Sequence, residues 1–123
     1  MTNPTEHARA AMQLAFDAFA KNEPRPILKH DIIDIQFWPR NYSHVADQYT
    51  VRFAHGFRKL LAENEELGEE HNGARDTIAH EAWHVVQAQG RSRFGWWWHY
   101  LWNRKRLEAE AAAMAEKYWR AVK

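Results

Sequence analysis

The chain of 123 residues has no cysteine, no excess of either charge and no apolar run near the ~18 residues needed to cross a bilayer. Without cysteine there is no disulfide, no thiolate nucleophile and no thiolate metal ligand, so any bound metal must be held by histidine and carboxylate. Seventeen basic residues against sixteen acidic ones give no global field for gathering nucleic acid or acidic lipid. Met1 to Ala20 has neither the basic start nor the apolar stretch of a secretory signal, so a cytoplasmic location is expected. No internal repeat and no domain-separating linker is present. What is present is the composition of a folding chain, 46% hydrophobic and 27% charged, which excludes intrinsic disorder, a collagenous repeat or a fibrous coil. Its length fits one core, hence one domain over residues 1–123.

Hydrophobic periodicity divides the chain. Asn3 as cap, Pro4 in the first helical position and Glu6 start a helix whose apolar stripe is Ala8, Ala11, Met12, Ala15, Phe16 and Phe19. The stretch from Asn22 to Pro26 ends it. From Asp31 to Trp38 the period becomes two, with Ile33, Ile35 and Phe37 on one face, and Pro39 stops this strand. Tyr49, Val51 and Phe53 alternate likewise and predict a second strand. A short helix is expected from Phe57 to Asn64 and a solvated connector from Glu63 to Gly73. Two helices follow, one from about Ala74 to Gln89 stopped by Gly90, the other from about Arg104 to Val122, joined by an aromatic link.

His80-Glu81-Ala82-Trp83-His84 carries the chemistry. On a helix, residues four apart lie one turn apart on the same face, so both imidazoles reach one ion with Glu81 beside them. Two neutral imidazoles, an open coordination position and a carboxylate to accept a proton from water are what zinc-assisted attack on a carbonyl requires. The alternative is an amphipathic helix whose polar residues, Asp76, Thr77, His80, Glu81, His84 and Gln87, form a wet face. In the last helix, a wheel centred on Glu108 places Leu107, Ala111, Ala112, Met114, Ala115, Tyr118 and Trp119 within an arc of about −120° to +40°. Glu108 thus points into the packed face, where a carboxylate needs a compensating cation, and a third metal ligand is one reading of it. A salt bridge to Arg104 or Lys105, or exposure at the helix start, is the other. Glu110 falls about 200° away, on the expected solvated face. Small side chains at Ala111, Ala112 and Ala115 favour close approach of the two helices.

HExxH followed by Glu108-x-Glu110-Ala111 resembles the gluzincin-type zinc metallopeptidases, in particular minimal domains that pair HExxH with a downstream ExEA helix. The resemblance spans about Asp76 to Trp119, and Gln87 after Val85 and Val86 is similar in detail. It implies zinc on His80, His84 and Glu108, with Glu81 as general base and acid. Ala112 stands where related motifs often carry an aspartate, and Asp76 is the substitute considered for that supporting carboxylate. A second arrangement, similar to SprT-like DNA-associated proteases, would use His99 as third ligand, although Tyr100 replaces the glycine usual after that histidine.

Phe94 to Trp102 concentrates four of the seven tryptophans. Core packing and shielding of the site is the first reading, a substrate wall the second. Tyr100 or His99 could donate to the oxyanion, and Tyr100 is the expected donor, because a phenol keeps its proton at neutral pH whereas a neutral imidazole donates more weakly. Arg91, Arg93, Arg104, Lys105 and Arg106 read as solvated helix ends, so a polypeptide is the expected partner and neither nucleic acid nor membrane is. His7, His30, His44, His55 and His71 read as surface or turn residues.

The expected architecture is an α+β, minimal zincin-like domain. Its N-terminal helix and a short antiparallel sheet pack on the HExxH helix and the C-terminal ligand helix. The expected activity is zinc-dependent hydrolysis of peptide bonds, the alternative a non-catalytic module that zinc merely ties together.

Overall fold

The apolar stripe of the first helix is buried along its whole length, Ala8, Ala11, Met12, Ala15, Phe16 and Phe19 all being withdrawn from water. This is seen in a computed structural model, which describes residues 4–24, 34–40, 42–54, 56–57 and 72–119. Helix α1 spans Pro4–Asn22 and is followed by strands β1 (Asp34–Phe37), β2 (His44–Asp47) and β3 (Thr50–Phe53), then helices α2 (Asn72–Ala88) and α3 (Arg93–Tyr118). The described residues therefore form an α+β arrangement of three helices and one small mixed sheet. Most of the helix expected from Phe57 to Asn64 and of the connector from Glu63 to Gly73 lies outside the described residues, as does the Asn3 cap. Asn72 and Gly73 already belong to α2.

The sheet is not antiparallel throughout. Its order is β1-β3-β2, with β1 parallel to β3 and β2 antiparallel to it. The reason is parity: the overlooked strand β2 adds a chain reversal between the two strands that alternation reveals, so these two run the same way. Ile35, Val51 and Val45 form one row across the three strands, and all are buried. The register skips at Ala46, and Asp47 then opens the turn into β3 by accepting the Tyr49 amide on Oδ1 at 2.8 Å. Gln36, Arg52 and His44 form the next row, with Arg52 Nε donating to Gln36 Oε1 at 3.0 Å.

Phe19 fastens α1 to the rest, meeting Trp83 of α2 edge-on at 4.9 Å and Tyr118 of α3 at 5.2 Å between ring centres. Full burial of such a side chain is worth about 1.5–3 kcal/mol. Gly90, at φ +77°, turns the chain after α2 in a left-handed conformation that costs glycine little. Ser92 then caps α3, its Oγ accepting the Gly95 amide at 3.0 Å. Consequently the aromatic stretch expected to be a link is the first half of α3. Trp96, the one fully buried ring among those tryptophans, donates from Nε1 to the Val45 carbonyl at 2.8 Å and binds α3 to β2. Asn103 interrupts the helix at φ −120°, ψ 20°, and its side chain donates to the His99 carbonyl at 2.9 Å. A side-chain amide that bonds the carbonyl four residues back is a known cause of such a break. No described helix is long and apolar enough to cross a membrane.

Candidate metal centre

Between Ile78 and Ala88, helix α2 has no wet face. From Ile78 to Ala88 every residue except His80 is buried, including Glu81, His84 and Gln87. The polar side that an amphipathic reading leaves to solvent lies under α3 and β2, so its charged and hydrogen-bonding atoms need internal partners.

Those partners come from α3. Leu107, Ala111, Ala115 and Tyr118 are its buried stripe, with Met114 half-buried beside them. On an ideal wheel Glu108 and Glu110 stand at opposite edges of this stripe, each about 80° from its centre. Glu108 turns toward the histidine pair and Glu110 toward Trp83. This corrects the assignment of Glu110 to the solvated face: it is half-buried, and its Oε1 accepts Trp83 Nε1 at 2.6 Å and Gln87 Nε2 at 3.4 Å. Ala112, placed in the apolar arc by the sequence, is exposed. A wheel centred on Glu108 misplaces both residues, because the buried stripe is centred between the two acids.

His80 Nε2 lies 2.9 Å from Glu108 Oε2 and 3.0 Å from His84 Nε2, and His84 Nε2 lies 3.1 Å from Glu108 Oε1. His80, His84 and Glu108 are the one trio of potential ligands that converges in this way among the described residues. His99 stands apart, its Nδ1 3.3 Å from the Asn103 amide. Tetrahedral coordination at metal–nitrogen distances of about 2.0–2.1 Å separates ligand atoms by about 3.3 Å, so the observed spacings need to open by only a few tenths of an ångström to seat an ion.

Gln87 decides how His84 presents itself. Its Nε2 donates to the Leu107 carbonyl at 3.1 Å, which leaves its Oε1 facing His84 Nδ1 at 2.7 Å. Nδ1 must then carry the hydrogen, and the lone pair of Nε2 points at His80 and Glu108. The outer support considered for Asp76 is thus supplied by Gln87. Tyr100 supports the opposite side, its hydroxyl donating to Glu108 Oε1 at 2.5 Å. Tyr100 precedes the break at Asn103 and Glu108 follows it, so the interrupted helix delivers both to one point.

Electrostatics agree with the geometry. The two histidines facing it, His80 first and His84 second, hold the Glu108 carboxyl well below its ordinary range, overcoming its burial, with the Tyr100 hydroxyl adding to them. Burial pulls His84 down, yet the Glu108 and Glu81 carboxylates more than offset it and the net direction is up. Burial and the Glu108 bond both push the Tyr100 phenol above its usual value. Glu81 is the exception in this bonded set: Oε2 is buried with no hydrogen-bond partner, and burial pushes its carboxyl up to about 7 against the opposing pull of His84 and His80. An orphaned buried carboxylate oxygen beside three converging ligand atoms fits a resident divalent cation and the water it would bring.

A cleft of about 910 Å³ opens over this centre. Glu81, His84, Tyr100 and Glu108 meet it at the base, while Trp38, His44 and Arg52 from the sheet side and Trp97 from α3 form walls. His44, read from sequence as a surface residue, is a β2 residue whose Nδ1 is buried without a partner, and Trp38 packs on it at 4.3 Å. Burial, with Arg52 adding to it, lowers its pKa. His7, read the same way, is buried in α1. His30, His55 and His71 lie outside the described residues. His44 was missed because a strand as short as His-Val-Ala-Asp shows no alternation. No protein-family model, no curated protein and no solved structure matches the chain.

Proposed function

We propose that the chain is a small zinc-dependent hydrolase of zincin type that cuts peptide bonds. The observation that carries this reading is the convergence of His80 Nε2, His84 Nε2 and the Glu108 carboxylate beside the partnerless Oε2 of Glu81, at the base of an open cleft. His80, His84 and Glu108 would hold the ion. Zinc bound there supplies Lewis acidity, polarising the carbonyl under attack and making nearby water a stronger acid.

The remaining work belongs to side chains. Glu81 accepts the proton of the attacking water on Oε2 and returns it to the departing nitrogen, a task suited to a carboxyl whose pKa has been moved toward neutrality. Gln87 and Tyr100 hold His84 and Glu108 in place. Tyr100 keeps its proton, but that proton is directed at Glu108, so serving as oxyanion donor requires the phenol to turn toward substrate. The cleft admits an extended polypeptide between the sheet edge at β2 and the first half of α3. A purely structural metal site is the weaker reading, because it gives the buried, partnerless Oε2 of Glu81 no task.

Metal content of the purified chain and cleavage of unfolded casein test the proposal together. Zinc at one per chain is expected, and Glu81→Gln should keep the zinc while losing cleavage by about 10²- to 10⁴-fold. Zinc retained with no cleavage by the unaltered chain would leave the structural role; equal cleavage by both chains would remove Glu81 from the mechanism.

A further inference from the structure

The first half of α3 turns an apolar face outward. Phe94 is 68% exposed, Trp97 53%, Trp98 40%, Leu101 51% and Trp102 78%. Their positions recur at three- and four-residue spacing along one side of the helix, the pattern by which a helix buries a face. The patch amounts to on the order of 600 Å², the upper end for a monomer with nothing to cover it. Core packing and shielding, expected from sequence for this stretch, is thus met by Trp96 alone among its tryptophans, with Tyr100 half-buried.

The charge around the patch identifies what covers it. Residues 82–107 hold five of the seventeen basic residues and none of the sixteen acidic ones, although the whole chain is nearly neutral. Arg91, Arg104, Lys105 and Arg106 are exposed at the two ends of the apolar run. Arg93 is exposed as well and pairs with Asp47 at 2.8 Å. We infer that this face of α3 docks on an anionic lipid surface. The helix would lie in the plane of the interface, with the rings at headgroup depth and the cations against lipid phosphates.

Two other occupants fit less well. A second copy seated on the same face would bring basic ends together with no acid in the stretch to meet them. Single-stranded nucleic acid needs open ring faces for its bases. Here Trp97 and Trp98 meet edge to face at 5.1 Å, Phe94 and Trp98 do so at 5.9 Å, and Phe94 stacks on Trp97 at 6.3 Å. Phe94, Trp97 and Trp98 thus pack on one another and, with Leu101 and Trp102 beside them, make one apolar cap. Phe94, Trp97 and Leu101 also line the cleft, whereas Trp98 and Trp102 do not, so variants at the latter two test docking apart from the hydrolase reading.

The test is co-sedimentation of the full chain with vesicles of phosphatidylcholine and phosphatidylglycerol in equal parts, against pure phosphatidylcholine, followed by indole fluorescence. Binding to the anionic vesicles should exceed that to the neutral ones by about tenfold or more, with a blue shift, and weaken as salt rises. Trp98→Ser with Trp102→Ser, and separately Lys105→Gln with Arg106→Gln, should each lower it by about tenfold while circular dichroism stays unchanged. Equal binding by these variants overturns the inference, as does absence of binding by the unaltered chain. Retention on a single-stranded oligonucleotide in place of vesicles, or a dimer that the tryptophan variant dissolves, also overturns it.

Discussion

The seam between α2 and α3 and the outward face of α3 invert the usual order of residues in opposite senses. In the seam, Glu81, His84 and Gln87 are buried. A short way along the same helix pair, Trp97, Trp98 and Trp102 are exposed. Buried polar groups and exposed large apolar patches are the two departures that carry information about a protein surface. In the seam the departure is compensated from within, Glu81 Oε2 excepted: Glu108 meets both histidines, Gln87 meets His84 and a backbone carbonyl, and Trp83 meets Glu110. On the outward face nothing among the described residues covers the rings, which is the observation the proposed docking rests on. One helix thus carries the candidate metal centre on one side and the exposed apolar face on the other.

The sharpest way to break this contrast is to take away a member of the seam. Glu108→Ala should abolish stoichiometric metal, whereas His99→Ala should leave it intact; metal analysis after dialysis reads both, and the opposite result would move the third ligand to His99. Next in size is Gln87→Ala. It frees the His84 ring, and a chelator competition should show metal affinity falling about 10- to 100-fold. A smaller effect belongs to the outward half. Ser92→Ala removes the cap of α3 and should cost about 1 kcal/mol in urea unfolding, with the metal retained.

The smallest concerns Asp47 at the root of that half. Burial raises its carboxyl pKa, but the Tyr49 amide and the Arg93 guanidinium win, so the folded value lies below the unfolded one. Its stabilising contribution is complete above the unfolded value and is lost as pH falls through the folded value. Arg93→Gln should therefore flatten the acid limb of the stability curve by a few tenths of a kcal/mol, as expected for an exposed ion pair.

Fold is most legible in sequence where one periodicity controls one face. The stripe of α1 from Ala8 to Phe19 and the stop at Gly90 lie where spacing and backbone chemistry place them. The ligand trio comes together in the structure because HExxH sets its own geometry on any helix and Glu108 flanks an apolar stripe. Three features escaped for physical reasons. Strand direction depends on how many reversals separate two strands, and β2 was too short to be counted. The polar side of α2 is covered by an element remote in sequence, which local pattern cannot register. The aromatic stretch reads as core because indoles are normally buried, and nothing in its local spacing tells an inward stripe from an outward one.

Asn103 carries a consequence for how this helix can vary. Tyr100 and Glu108 are joined across the interruption, and each added or deleted residue between them would swing one about 100° around the axis relative to the other. The eight-residue interval is thus fixed in length though free in composition elsewhere. Change in this part of the chain is confined to exchanging side chains, and the half that bears the indoles cannot lengthen or shorten at that joint without dismantling the cradle at its far end.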